Sequence, residues 1–146
     1  MRIIYITLAS ILLSCGQGSA DKKVKQLAGE MCSCFDEFKK NISEKEMQVF
    51  ITVSTAANPQ QAITNTMRQM NPDEANAFAD KLKTIGDKNT PLFQCLQAFD
   101  KKHGQETTKD KQALTQNLLH ELHTMNCTIG AAIMNLSLGK MKTGKQ

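Results

Sequence analysis

Each of the three prolines in the chain directly follows Asn or Thr, at Asn58-Pro59, Asn71-Pro72 and Thr90-Pro91. A proline disrupts a helix interior but suits its first turn, where the missing N–H has no partner to lose, and a preceding Asn or Thr supplies an N-cap oxygen. The three pairs therefore read as helix starts. Ser43-Glu44-Lys45-Glu46 is a fourth, a capping box flanked by Ile42 and Met47 in hydrophobic-staple positions. No stretch alternates with period two across enough β-branched residues to suggest a sheet. A chain punctuated in this way is expected to be all-α.

Apolar spacing fills in the helices. Val24, Leu27, Ala28, Met31, Phe35 and Phe38 repeat at helical intervals and predict a first helix over about 20–40. The capping box opens a second, to about Ala57, with Met47, Phe50, Ile51 and Ser54 inward. One helix follows Asn58, another runs from Pro72 to Gly86, and a fifth carries Leu92, Cys95, Leu96 and Phe99 to a stop near Gly104. From Thr107 or Thr108 a long last helix is expected to reach about Leu138, with Gly139 to Gln146 frayed. Five or six helices in one domain are the expectation for a chain of 146 residues.

Residues 1–14 have another character. Met-Arg is followed by an apolar stretch from Ile3 to Leu13, broken by Thr7 and Ser10, and then by Ser14 before Cys15. The stretch is shorter than the roughly 20 residues of a membrane span and has the form of an export signal. The segment Leu12-Leu13-Ser14-Cys15-Gly16 resembles the lipobox of bacterial lipoproteins, in which apolar and small residues precede a Cys. The resemblance covers this leader alone. It implies a signal peptide over 1–14, covalent lipid on Cys15, which becomes the mature N-terminus, and anchorage by two or three acyl chains, since one chain holds only marginally. Gly16, where Asp would retain a lipoprotein in the inner membrane, implies the outer membrane. Residues 15–20, with the lipidated Cys, are expected to be a short tether, 21–139 the helical domain and 140–146 a tail.

Catalytic patterns are missing from the rest. His120-Glu121-Leu122-His123 spaces its histidines by three positions where the zinc-protease helix needs four. There is no phosphate-cradling glycine loop, no nucleophile elbow and no Cys-x-x-Cys pair. The aromatic residues beyond the leader are six phenylalanines, which argues against sugar or base stacking. A formal net charge of +4, spread over short runs such as Lys22-Lys23 and Lys101-Lys102, reads as solvated helix surface, and no nucleic-acid partner is expected. The methionines, eight in all, read as gap-filling core residues.

The cysteines are more informative. With Cys15 lipidated, Cys32, Cys34, Cys95 and Cys127 remain, an even number in an oxidising compartment, and two disulfides are their expected use. At about 100° per residue, Cys32 and Cys34 fall roughly 80° to either side of the apolar stripe of the first helix, so each is expected to bond a different later helix, one through Cys95 and one through Cys127. The competing use is metal. On one continuous last helix His120, His123 and Cys127 fall within about 60°, a geometry that presents three ligands for zinc or copper. His103, before Gly104, reads as plain surface.

The sequence thus predicts an all-α bundle of five or six helices braced by two disulfides and anchored by lipid in a bacterial envelope. The expected function is a non-catalytic binding or structural module with a protein partner in the envelope and no cofactor other than the lipid. The alternative is a periplasmic zinc- or copper-binding protein using His120, His123 and Cys127. An inhibitor of a toxic envelope enzyme fits the location and size, but no residue speaks for it.

Overall fold

The computed structural model describes residues 17–103 and 111–143, with side chains described over 22–103 and 113–139. The expected leader and Cys15 lie outside the described residues. Among the described residues the chain is helical, with no strand: α1 (Gln17–Ser33), α2 (Asp36–Lys40), α3 (Glu44–Thr55), α4 (Pro59–Arg68), α5 (Pro72–Gly86), α6 (Pro91–His103), α7 (Lys111–Thr124) and α8 (Thr128–Thr143). Seven of these have ten residues or more, and α2 has five. None of them is long and apolar enough to cross a membrane.

The expected number of five or six is too low because two of the expected helices break. The first stops at Ser33, where Cys34 N–H donates to Met31 O (3.2 Å) and Phe35 N–H to Cys32 O (3.0 Å), tightening the last turn. Asp36 and Glu37 then lie in the first turn of α2, where negative charge favours a fresh start. The long last helix breaks at Met125 to Cys127. Asn126 has φ of 57°, Cys127 N–H donates to Leu122 O (2.8 Å) and Asn126 N–H to His123 O (3.0 Å), which together make a Schellman stop with Asn in the left-handed position. Cys127 then opens α8, its carbonyl accepting from Ala131 N–H at 2.9 Å. Both outer boundaries also shift. α1 begins at Gln17, inside the expected tether, and α8 runs to Thr143, inside the expected tail. No proline interrupts either stretch.

The caps form as the sequence spacing predicts. Ser43 Oγ accepts from Glu46 N–H (3.3 Å) while Glu46 Oε2 accepts from Ser43 N–H (2.7 Å). Asn58 and Asn71 accept from Gln61 and Glu74 N–H at 3.1 and 2.8 Å, and Thr90 Oγ1 from Phe93 N–H at 3.2 Å. The inward face of α3 is turned from the expected one. Glu46, Val49, Phe50, Val53 and Ser54 are buried, whereas Ile51 is exposed. The rotation is possible because the buried Glu46 carboxylate is satisfied twice, by the capping box and by Lys81 Nζ, which sits 2.8 Å from both of its oxygens. Burial pushes the Glu46 carboxyl up, but the hydrogen bonds from Lys81 and Ser43 outweigh it and leave it below the ordinary range.

α3 is the centre of the bundle. It packs along α8 and beside α4, while α1 packs on α7. Phe50 meets Phe38 and Phe78 edge-on, at centroid distances of 6.2 and 5.5 Å, and so ties α2 and α5 to the core. Asn135 on α8 donates to Val53 O and Ala56 O at 2.9 Å each, adding a partner to carbonyls at the end of α3.

Candidate functional site

Two cysteines stand at the end of α1, Cys32 in its last turn and Cys34 just past it, and they lead in different directions. Cys32 is bonded to Cys127, with Cα atoms 5.8 Å apart and a sequence separation of 95. Cys34 is bonded to Cys95 in α6, with Cα atoms 5.6 Å apart and a sequence separation of 61. The end of α1 is thereby fixed both to α6 and to the junction between α7 and α8.

A cleft of about 180 Å³ lies over the first of these bonds. Cys32 and Cys127 line it together with Phe35 from the α1–α2 break and Asp36 and Lys39 of α2. Met47 of α3 and the segment Asn126 to Ile129 at the α7–α8 break complete the wall. Both helix breaks therefore open onto one concavity, and its walls are mostly apolar with an ammonium and a carboxylate among them. Cys34 and Cys95 are not part of this lining. Beneath the cleft, a Cβ at Gly130 would stand 3.0 Å from Cys127 Sγ and 3.4 Å from Leu122 Cδ2 and Phe35 Cε2. The sulfur thus lies against the first turn of α8, and a residue without a side chain allows that approach.

The second bond is accompanied by charge. Glu30, one turn before Cys34, accepts from Lys102 Nζ (2.9 and 3.1 Å) and from Gln26 Nε2 (2.9 Å), and its Oε2 lies 2.8 Å from His103 Nε2. The hydrogen bond with His103, reinforced by those from Lys102 and Gln26, lowers the Glu30 carboxyl from its ordinary 4.5 to about 2. His103, expected as plain surface, is buried, and its ring tilts against Phe99 at a centroid distance of 5.0 Å. Nothing in the sequence links positions 30 and 103, since the contact exists only once α6 lies on α1.

His120 and His123, the histidines of the alternative metal reading, are not presented as a patch with Cys127. The expected alignment assumed one continuous helix, and the turn at Asn126 separates the two histidines in α7 from Cys127 at the start of α8. Cys127 spends its sulfur on Cys32, and His123 Nε2 lies 3.2 Å from Ser54 O, an α3 carbonyl. Among the described residues no group of three or more His, Cys, Asp or Glu is arranged to hold a metal ion.

The comparisons with known proteins add no relative: the chain matches no family model, no curated protein and no solved structure.

Proposed function

We propose that the protein is a lipid-anchored envelope lipoprotein that works as a non-catalytic binding or structural module for a protein partner in the envelope, its helical domain held at the membrane through Cys15. The observation that carries this reading is the pairing of cysteines. Four of the five are consumed by Cys32–Cys127 and Cys34–Cys95, so Cys15 has no cysteine partner left in its own chain and its thiol is available for acylation. Two disulfides also suit an oxidising compartment, where the leader directs the chain. Gly16 favours the outer membrane over the inner, and the start of α1 at Gln17 keeps the domain close to the lipid.

The experiment is Cys15→Ser in the full chain expressed in a Gram-negative host, read by membrane fractionation and by mass of the N-terminal peptide. The expected result is a wild-type N-terminal peptide carrying acyl chains on Cys15 and a variant released from the membrane fraction. A variant that stays membrane-bound, with an unmodified wild-type peptide, overturns the reading.

A further inference from the structure

The two disulfides differ in what surrounds their sulfurs. The Cys32–Cys127 bond lines a cleft open to solvent, with half-buried Cys32 at its wall and Cys127 buried behind it. The electrostatic settings of its two ends are also unequal. Cys32 lies in the last turn of α1, beside the negative end of that helix, whereas Cys127 sits at the opening of the sixteen-residue α8, its sulfur against the first turn. A negative charge is therefore better accommodated on Cys127 than on Cys32. In the other bond the buried partner, Cys34, lies just past the end of α1, where a negative charge is disfavoured.

From these observations we propose that Cys32–Cys127 is a thiol–disulfide exchange site, at which a small thiolate entering through the cleft attacks Cys32 Sγ and expels Cys127 as the leaving thiolate. The thiolate's electron pair forms a bond to Cys32 sulfur, and the pair of the old bond goes to Cys127, giving a mixed disulfide on Cys32 and a thiolate on Cys127. A second small thiolate, attacking the sulfur of the first, leaves Cys32 as a thiolate and carries away a small-molecule disulfide. Two thiols are oxidised and one protein disulfide is reduced. Of the two charged groups on the cleft wall, Asp36 and Lys39, the Lys39 ammonium gives the incoming anion a counter-charge. The Cys34–Cys95 bond stays closed under the same conditions, so exchange frees the α7–α8 junction while α1 remains fastened to α6.

The test treats the folded full-length protein with reduced glutathione at neutral pH, quenches with an alkylating agent at timed intervals and maps each cysteine peptide by mass spectrometry, Cys15 being read on its own peptide. The expected outcome is that Cys32 and Cys127 become labelled about tenfold or more faster than Cys34 and Cys95, with the glutathione adduct on Cys32 and the alkylated thiol on Cys127. Lys39→Trp, which places an indole at an exposed position on the cleft wall, should slow opening of this bond and leave Cys34–Cys95 unchanged. Equal opening of the two bonds, earlier opening of Cys34–Cys95, or an adduct on Cys127 would overturn the proposal. So would an unchanged rate in a folded Lys39→Trp, and should that variant not fold, the site of the adduct in the wild type decides alone.

Discussion

Two disulfides start two residues apart at the end of one helix and end in unlike places. Cys34–Cys95 joins the turn just past α1 to the body of a regular helix and is backed by the Glu30 cluster, in which His103 and Lys102 of α6 reach across to α1. Cys32–Cys127 joins the last turn of α1 to a backbone reversal and borders a cleft. The difference shows that a bracing bond is defined by what it is attached to. A bond whose far end lies within a regular helix is set into packing that already exists, whereas one whose far end lies at a reversal holds a place where the backbone ladder is interrupted.

The largest effect is expected from removing the bonds themselves. On the chain-entropy description, loops closed by separations of 95 and 61 differ little, because the dependence on length is logarithmic. Replacing either pair with alanine should therefore lower unfolding free energy by roughly 4 to 5 kcal/mol at most, by nearly the same amount for both. Urea denaturation of the two double variants measures it. A clearly larger loss for Cys34→Ala with Cys95→Ala would mean that the Glu30 cluster depends on that bond, and the two regions would then differ in thermodynamics as well as in access.

The turn at the far end of Cys32–Cys127 offers the next effect. Asn126 holds a left-handed backbone that costs most residues about 1–2 kcal/mol and β-branched ones the most. Asn126→Val is expected to destabilise by roughly that amount, while Asn126→Gly should stay within a few tenths of a kcal/mol, because glycine adopts this conformation freely. Thermal melts of the two variants separate conformational strain from loss of the amide side chain. Equal destabilisation by Val and Gly would assign the turn's stability to the side chain instead.

These same residues show where the sequence was legible. The helix starts could be read because a cap is local: Ser43, Asn58, Asn71 and Thr90 each satisfy an N–H within three residues. The division of Cys32 and Cys34 between two neighbours was also legible from their places on either side of the apolar stripe, although Cys34 lies just past the end of α1. The break at Asn126 was not, because asparagine is tolerated inside a helix and its left-handed use is decided by packing, here by Leu122 and Cys127 closing over the reversal. The buried face of α3 was misread for a related reason. Glu46 looks like a surface residue until Lys81, 35 positions away, is folded against it. The cleft lies between both breaks, so it was invisible to a reading that had neither.

The charged side of the comparison can be tested by pH. Glu30 has its carboxyl lowered from the ordinary 4.5 to about 2 by His103, then Lys102 and Gln26, so its contribution is fully present above about 4.5 and is lost as pH falls toward 2. Glu46 is lowered as well and acts in the same direction. Glu30→Gln keeps the shape and removes the titration, so the variant should be less stable than wild type near neutrality and approach it as pH falls through this window. Because Glu30 is partly solvated, the difference is expected to be smaller than that of the Asn126→Val change. Parallel acid limbs for variant and wild type would mean that the Glu30 carboxylate adds nothing to the Cys34–Cys95 side.

The smallest effect is expected where a glycine stands at a helix end without being needed there. Gly86 closes α5 and, from its residue type alone, looks like a left-handed stop of the kind Asn126 makes. Its φ is not positive, however, and α5 ends instead with Asp87 N–H donating to Thr84 O at 3.3 Å. A Cβ at this position would meet nothing within 4 Å. Gly86→Ala therefore fits the native backbone and restricts the unfolded chain, which should raise stability by about 0.4–1 kcal/mol. Paired with Asn126→Val in the same denaturation series, it isolates the role of backbone conformation. One helix end should improve when given a side chain and the other should suffer from a bulkier one, and a destabilised Gly86→Ala would mean that α5 needs at its end the freedom that only the Cys127 junction is taken to require.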